Sequence, residues 1–449
     1  MKIHFIGIGG IGVSALARYY FKKGNQVSGS DLVSSEITQA LKKLGVKIFI
    51  GKHKAQNLVK DVDLVVYSPA ISRDNPELKK ARQLRIKRRN NELGIMSYPE
   101  ALGELTKKHF TIAVSGTHGK STTTAMIALI LIKAGLDPTV IIGTKMKELD
   151  LPAGGSNCRV GKNRYLIIEA DEWQASFLKY FPQIIVLTSI EKEHMDFFKD
   201  LNHVRKVYKE YISHLPKNGV LIANKDYKEV FKISQRFAKS INCQFYSLKQ
   251  KEAKKIKNLL QVPGEHNVSN ALAALTVART LKIPDKISFK ALSEYKGTWR
   301  RFEIIQKKPF ILISDYAHHP TKVRVTLKAA REKFPEKKIW CIYQPHQYQR
   351  TFYLWDDFIK VFKKAPVDKL IITDIFDVAG REKKEIKKKI NSKKLVKAVN
   401  KSCSIYLKKE KIVSFLKENV KRGEVVIIMG AGDIYLLDRK LTKRENKIR

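Results

Sequence analysis

The sequence predicts an α/β protein built from three successive domains, each around a largely parallel sheet. Three observations carry that expectation. Short apolar runs alternate with helical stretches through turns that hold Gly or Asp, the signature of parallel α/β layers. Two polar breaks, near Ser97–Lys108 and Gly297–Pro309, each precede a fresh apolar strand. The chain has 449 residues, about three times a usual domain length. The expected division is 1–104, 105–306 and 307–449. The strand-like runs, in order, are Ile3–Ile8 and Leu64–Tyr67 in the first domain. Phe110–Ser115, Tyr165–Ile168, Ile184–Thr188 and Val220–Ala223 follow in the second. The third holds Phe310–Ser314, Ile339–Tyr343, Leu370–Thr373 and Val425–Met429.

Composition narrows the function classes. An apolar share of 43% is ordinary for a folded protein and excludes a wholly disordered chain. The 87 Lys and Arg against 43 Asp and Glu leave a net charge of +44, which on its own suggests nucleic acid or an anionic surface as partner. The lysines, however, are spread along the whole length and thicken only locally, at Arg85–Arg89 and Lys383–Lys394. They read as solvated faces, so no nucleic-acid or membrane partner is expected. No stretch reaches the ~18 apolar residues of a membrane span. The chain opens directly on a strand without a signal-peptide pattern, pointing to the cytoplasm. Cys158, Cys243, Cys341 and Cys403 stand alone, which argues against a disulfide frame or a zinc cluster.

The chemistry-bearing motifs sit at predicted strand ends. Gly7-Ile-Gly9-Gly10-Ile-Gly12 closes the first strand and opens a helix. Bare glycine N–H groups there approach a pyrophosphate at a helix N-terminus, and Asp31, about 20 residues on, fits a ribose or base contact. Taken alone, the motif suits a nicotinamide dinucleotide, or a turn that merely packs helix on strand. Gly116-Thr117-His118-Gly119-Lys120-Ser121-Thr122 lies between the strand Phe110–Ser115 and a helix running to Gly135. A phosphate-gripping loop needs free backbone N–H groups, a Lys for the β/γ-phosphates and a hydroxyl for Mg²⁺. Gly119, Lys120 and Ser121 supply them, although Val114 stands where the usual spacing has its first Gly. This shortened loop says ATP.

Glu169-Ala-Asp171-Glu172 and Glu191-Lys-Glu193-His194-Met-Asp196 each follow a strand, where open α/β sheets hold ligands. Glu169 beside Ser121 suits a hard cation such as Mg²⁺; His194 suits either a metal or a neighbouring carboxylate. Gly264-Glu-His266-Asn267-Val-Ser-Asn270 opens a helix ending near Leu281. There Asn267 fits an N-cap, and Asn270 is placed to read the edge of a base. Arg300-Arg301-Phe302 follows a Gly turn, where an Arg would neutralise a transferring phosphoryl group or lie on the surface. Asp315-Tyr316-Ala-His318-His319 and Gln344-Pro-His346-Gln347-Tyr-Gln-Arg350 end two further strands and read as a site wall. No Ser–His–Asp or Cys–His order supports a covalent hydrolase.

These motifs in this order resemble the Mur ligase family over essentially the whole chain. The pieces that carry the likeness are HFIGIGGIG (4–12), SGTHGKSTTT (115–124), EADE (169–172), HMD (194–196), GEHNVSNALAA (264–274), GTWRRFE (297–303), DYAHHP (315–320), QPHQYQRT (344–351) and MGAGDI (429–434). The resemblance implies a Rossmann-like UDP-binding domain, a P-loop-type ATPase domain and a Rossmann-like closing domain. It reassigns the first motif from a dinucleotide to a UDP-sugar, held by Gly9, Gly10, Gly12 and Asp31, with His53 and Ser68 nearby. It implies Lys120 on the ATP phosphates, Ser121 and Glu169 on one Mg²⁺, and Glu169 with His194 on a second. Asn270 would read adenine, Asp315 the ribose and Arg301 the γ-phosphate. Tyr316, His318, His346 and Arg350 would meet the amino acid and the acyl phosphate. The implied reaction is ATP-dependent amide formation between L-alanine and the carboxylate of UDP-N-acetylmuramate, in peptidoglycan precursor synthesis.

Three segments depart from the family pattern: Trp173-Gln174 replaces Ser-Asp, Gln347 replaces Arg, and the Lys-rich stretch replaces a Gly-Val-Ser-like loop after Ala379-Gly380. If that Arg grips the incoming carboxylate, its loss weakens the clamp by about 1.5–3 kcal/mol. A ligase that attaches a preformed peptide, or one that uses Gly or L-Ser, is therefore the alternative. A nicotinamide oxidoreductase and a basic nucleic-acid binder stand further off, since neither explains the ATP loop.

Overall fold

The computed structural model describes residues 1–58, 61–87, 93–149, 155–195, 197–378, 382 and 384–442. Arg88, Arg89, Asp196, Ala379, Gly380 and Lys383, all named above, lie outside them. The chain divides into two compact units. One comprises Met1–Ile190, Arg205–Gln250 and Asn270–Leu292; the other comprises Glu191–Val204, Lys251–Ser269 and Ser293–Arg449.

The first unit contains two sheets. In the N-terminal one, β1 (Lys2–Ile6), β2 (Gln26–Asp31), β3 (Lys47–Ile50), β4 (Leu64–Tyr67) and β5 (Gly94–Ser97) stand in the order 3-2-1-4-5. All four pairings are parallel. The order reverses between β1 and β4, which opens a crevice at their carboxyl ends. The second sheet comprises β6 (Phe110–Ser115), β7 (Thr139–Met146), β8 (Ser156–Arg159), β9 (Tyr165–Ala170), β10 (Ile184–Leu187), β11 (Val220–Asn224) and β12 (Asn242–Tyr246). Its order is 12-11-10-6-9-7-8, with β8 antiparallel to β7. Strands β10 and β11 are buried along their whole length, so they read as unbroken apolar runs. The helix Lys120–Lys133 is buried from Ser121 through Leu131. That explains a sequence with no polar face, because such a helix is covered on all sides.

The second unit carries β13 (Glu303–Gln306), β14 (Ile311–Asp315), β15 (Ile339–Tyr343), β16 (Lys369–Ile372), β17 (Ser404–Tyr406) and β18 (Val425–Met429), ordered 13-14-18-15-16-17. Its two faces bury separate cores, one around Ile313, Leu327, Phe358 and Ile427 and the other around Trp340, Ile342, Ile412 and Ile428.

All ten runs named above form strands. Among the described residues eight further strands escaped the sequence reading, and six of them (β3, β5, β8, β12, β13, β17) are sheet edges. Edge strands are short and half-solvated, so they lack a continuous apolar run. The Lys-rich stretch forms the helices Lys384–Lys389 and Ser392–Val399, which bury Ile386 and Leu395 and expose most of their lysines.

Candidate active site

In the first unit the glycine turn after β1 is closed on itself. Gly7 has φ +78°, Gly10 N–H donates to Gly7 O at 3.2 Å, and Gly9 N–H donates to Asp31 Oδ2 at 2.8 Å. Asp31 therefore buttresses the turn from the end of β2. Ser68, at the end of β4, faces Gly7 so closely that a Cβ on that glycine would lie 3.1 Å from its own. The turn, Asp31 and Ser68 thus converge on the crevice, with His53 on the loop after β3. Gly12 has another purpose. A Cβ there would lie 2.8 Å from the Tyr98 hydroxyl, so its absence lets Tyr98 pack against the opening helix. The second sheet reaches the same helix through Asn157 on β8, which donates to Ile11 O at 2.6 Å and Ser14 Oγ at 2.8 Å.

The loop Gly116–Lys120 is built for close approach. Gly116 and Gly119 adopt φ +131° and +82°, where a side chain is strained. A Cβ at Gly116 would collide with Thr188, and one at Gly119 with Asn270. The loop is pinned by Thr117 N–H to Ser189 O at 2.9 Å and by His118 N–H to Ser189 Oγ at 2.8 Å. Lys120 folds back: Nζ donates to Gly116 O at 2.8 Å and to Glu172 Oε2 at 2.7 Å, with Asp171 at 3.8 Å. Burial alone would lower the ammonium's pKa, but the Glu172 and Asp171 carboxylates hold it above its ordinary value. A half-buried lysine kept charged at a loop of bare N–H groups is suited to bind a polyphosphate. Asn270 stands against this loop and accepts from Thr123 Oγ1 at 3.3 Å. Asn267 is not the N-cap: the helix begins at Glu265, and Asn267 Nδ2 reaches back to Pro263 O at 2.6 Å.

Ser121, in the first turn of the helix Lys120–Lys133 that follows β6, and Glu169, near the end of the neighbouring strand β9, offer hard oxygen donors. The Glu169 carboxylate lies over Gly143, where a Cβ would come within 2.6 Å of Oε2, so glycine leaves it room. This donor set fits Mg²⁺. His194 belongs to the second unit.

In that unit Asp315 ends β14, and each of its carboxylate oxygens accepts one backbone hydrogen. Its Oδ2 accepts from Phe302 N–H and its Oδ1 from Ala317 N–H, both at 2.7 Å. These bonds hold Arg301 at the strand end, its guanidinium 4.8 Å above the Tyr316 ring. His318 is buried and lies 5.2 Å from Tyr316 and 6.0 Å from His346. Burial first, then the nearby Lys322 and Arg350 charges, push its pKa well down, so it is neutral. His346 stacks on Phe376 at 5.4 Å. Arg350 is anchored on one side: Nε donates to Glu193 Oε1 at 2.8 Å, and Nη1 lies 3.1 Å from both His346 Nδ1 and His346 O. A cleft lined by Glu193, His194, Gln347, Arg350 and Tyr353 adjoins this pair.

Four residues without an assigned role emerge here. Glu172 and Asp171 were legible inside EADE, and Glu193 inside its acidic segment, but only folding reveals that they pair with Lys120 and Arg350. Tyr98 had no local signal.

Profiles of the Mur ligase family match this chain in three pieces. The catalytic domain of that family matches residues 2–110, its middle domain 114–278, and its glutamate ligase domain 300–432. A UDP-N-acetylmuramate–L-alanine ligase of Acetivibrio thermocellus is 41% identical over 478 aligned positions, covering 99% of this chain and 96% of that one. Among solved structures, a UDP-N-acetylmuramate–alanine ligase of Thermotoga maritima aligns at a TM-score of 0.80 and 28% identity, covering 99% of each chain. A murein peptide ligase of Psychrobacter arcticus aligns at 0.72 and 23% identity, covering 100% of this chain and 99% of that one, a likeness of fold alone. The chain belongs to the Mur ligase family. Among the described residues no helix is long and apolar enough to cross a membrane.

Proposed function

We propose that this chain joins L-alanine to the carboxylate of UDP-N-acetylmuramate with cleavage of ATP to ADP, a cytoplasmic step of peptidoglycan precursor synthesis. The observation that carries the reading is the loop Gly116–Ser121, with Lys120 held charged at its centre. It stands within a chain 41% identical, almost end to end, to a ligase of that name. The division at 104 and 306 belongs to the same reading.

A free carboxylate resists an amine because oxide is a poor leaving group. Its oxygen therefore attacks the γ-phosphorus of ATP, ADP departs, and an acyl phosphate remains. The alanine amine, having lost its ammonium proton, then adds to the acyl carbon and expels inorganic phosphate. Lys120 and the loop N–H groups neutralise charge on the ATP phosphates, and Lys120 leaves Glu172 to do so. Ser121 and Glu169 would hold Mg²⁺, which when bound screens the phosphate charge; His194 is assigned to a second ion. Gly9, Gly10, Gly12, Asp31, His53 and Ser68 are assigned to the UDP moiety, Asn270 to adenine, Asp315 to ribose and Arg301 to the γ-phosphate. Tyr316, His318, His346 and Arg350 are assigned to the amino-acid side.

The test is phosphate release and product mass with MgATP, UDP-N-acetylmuramate and single amino acids. Release that needs both the sugar nucleotide and L-alanine is expected. Turnover with a tripeptide and with no single amino acid would replace this reading by the peptide-attaching ligase.

A further inference from the structure

The Lys-rich stretch has no part in the reaction above, yet it closes over a short helix that carries candidate chemistry. That helix, Tyr348–Tyr353, is six residues long, too short to hold itself in water. Its N-cap residue Gln347 offers no side-chain hydrogen bond and takes φ +72° and ψ +131°. Such a backbone persists only where its surroundings impose it. The first N–H groups of a helix have no partner within it. Here two of them are met from outside: Tyr348 N–H donates to Glu382 Oε1 and Gln349 N–H to Glu382 Oε2, both at 3.1 Å. Glu382 thus caps the helix from 34 residues away.

The two faces of the helix then divide. Tyr348 and Phe352 lie one turn apart and share a face. With Trp355 they pack against Ile375, Ile386 and Ile390, and the last two belong to the Lys-rich stretch. Lys387 Nζ lies 5.7 Å from the Tyr348 ring centre and pairs with Asp377, while Lys389 Nζ lies 5.9 Å from the Phe352 ring centre. These lysines serve as contacts to the helix, with their stems laid along its aromatic face. Arg350 is two residues from each aromatic, on the opposite side, and there its Nε meets Glu193. The entry to the helix is pinned as well. Gln347 N–H donates to Phe376 O at 3.0 Å, and Phe376 N–H donates to Pro345 O at 2.8 Å.

We infer that Glu382 is a positioning residue for the amino-acid substrate: by capping Tyr348–Tyr353 it fixes the aim of Arg350 and the Gln347 kink, and the helix Lys384–Lys389 clasps the short helix in that aim. The inference rests on the assignment of Arg350 to the amino-acid side. A guanidinium grips a carboxylate well only in a narrow geometry. A short uncapped helix would let that geometry drift, and holding it beforehand lowers the entropy lost on binding. The phosphate loop and the first glycine turn belong to the other unit, and Arg301 is held through Asp315 instead. Loss of the cap therefore falls on one substrate of the three.

The experiment measures phosphate release by the full-length protein while L-alanine, ATP and UDP-N-acetylmuramate are varied in turn. Glu382→Ala should raise the KM for L-alanine by about tenfold and leave the other two KM values within about twofold of wild type. At saturating L-alanine its kcat should stay near that of wild type. Glu382→Gln keeps one accepting oxygen and should fall between the two. Ile386→Ala loosens the clasp while leaving the carboxylate in place, and should raise the same KM by a smaller factor. An unchanged KM for L-alanine in Glu382→Ala, or an equal rise in all three KM values, overturns the inference. Should Glu382→Ala fail to fold, Glu382→Gln decides by the same comparison. A wild-type protein that turns over a tripeptide and not L-alanine would overturn the L-alanine reading alone, and the KM comparison would then be made on the peptide.

Discussion

The Arg350–Glu193 pair makes the sharpest stability prediction in the second unit. The two side chains are 8% and 4% exposed and meet at 2.8 Å. Burial by itself would raise the Glu193 carboxyl, yet the Arg350 guanidinium, helped by His319, His194 and Lys322, holds it well below its ordinary 4.5. Removing one member of a buried pair strands the other charge, at a cost of about 3–5 kcal/mol. For a unit of this size that corresponds to a fall in Tm of roughly 6–20 °C. The sign with pH follows from linkage. In wild type the carboxyl's folded pKa is depressed, so its contribution is present above pH 4.5 and is lost as pH falls through the folded value. In Arg350→Met burial acts unopposed by that guanidinium and the folded pKa moves upward, so the same carboxyl stabilises less as pH rises above 4.5. Thermal unfolding of the full chain followed between pH 4 and pH 8 should therefore show a Tm deficit that widens toward pH 8. The double variant Glu193→Gln/Arg350→Met should lose less than the two single losses added together. Strict additivity, or a deficit independent of pH, would refute the argument that these charges sustain each other.

Three further outcomes follow from the geometry. Lys120→Ala should lower kcat by about a hundredfold to a thousandfold, measured as phosphate release, with circular dichroism checking that the fold is kept. Asn157→Ala removes the donor to Ile11 O and Ser14 Oγ and should cost about 1–3 kcal/mol. Because that amide braces the helix opened by the first glycine turn, the KM for UDP-N-acetylmuramate should rise more than the KM for ATP. Burial pushes the Asp438 carboxyl up to about 7, against the lowering effects of a Ser314 hydrogen bond and the Arg300 charge. A raised carboxyl destabilises the fold as pH climbs from 3.8 toward 7, so Asp438→Asn should exceed wild type in Tm at pH 8 and converge with it near pH 4.

How much of this was legible beforehand depends on what each residue's environment writes into the local pattern. Fully covered strands such as β15 and β18 announce themselves, since both faces demand apolar side chains. Edge strands such as β5 and β17 do not, because one side needs nothing in particular. The glycine turns and the Lys120 loop were legible because bare N–H groups require a residue type that the sequence displays. Pairings were not. Glu193 with Arg350 joins residues 157 positions apart, and Glu77 with His4 joins residues 73 apart; nothing local connects them. Asn267 illustrates the opposite failure, where a sound capping rule met a helix that starts two residues earlier.

Backbone strain adds an argument that composition could not supply. Nine non-glycine residues among those described take positive φ. Asn400, the C-cap of Ser392–Val399, is the ordinary kind. Six others fall in the segments that carry the candidate chemistry: Gln174 and Ala175 after EADE, His194, Arg300 and Phe302 on either side of Arg301, and Gln347. Such conformations cost about 1–3 kcal/mol each and persist only where the surroundings over-determine them. Those surroundings are visible at Arg301. Tyr316 N–H donates to Arg300 O at 2.7 Å, Phe302 N–H is held by Asp315, and the Arg300 guanidinium lies 4.3 Å from the Tyr435 ring while donating to Gly430 O. Arg301 is thus gripped on both flanks before any ligand arrives, which lowers the ordering entropy of binding. Gln174 and Gln347 are two of the positions where the sequence reading expects a departure from the family's pattern, and both sit in this strained set. A departure at such a position re-aims a fixed backbone kink rather than swapping a surface side chain. The amino-acid side is accordingly where this chain's own specificity should be sought, with the Gln347 kink (φ +72°, ψ +131°) as its starting point.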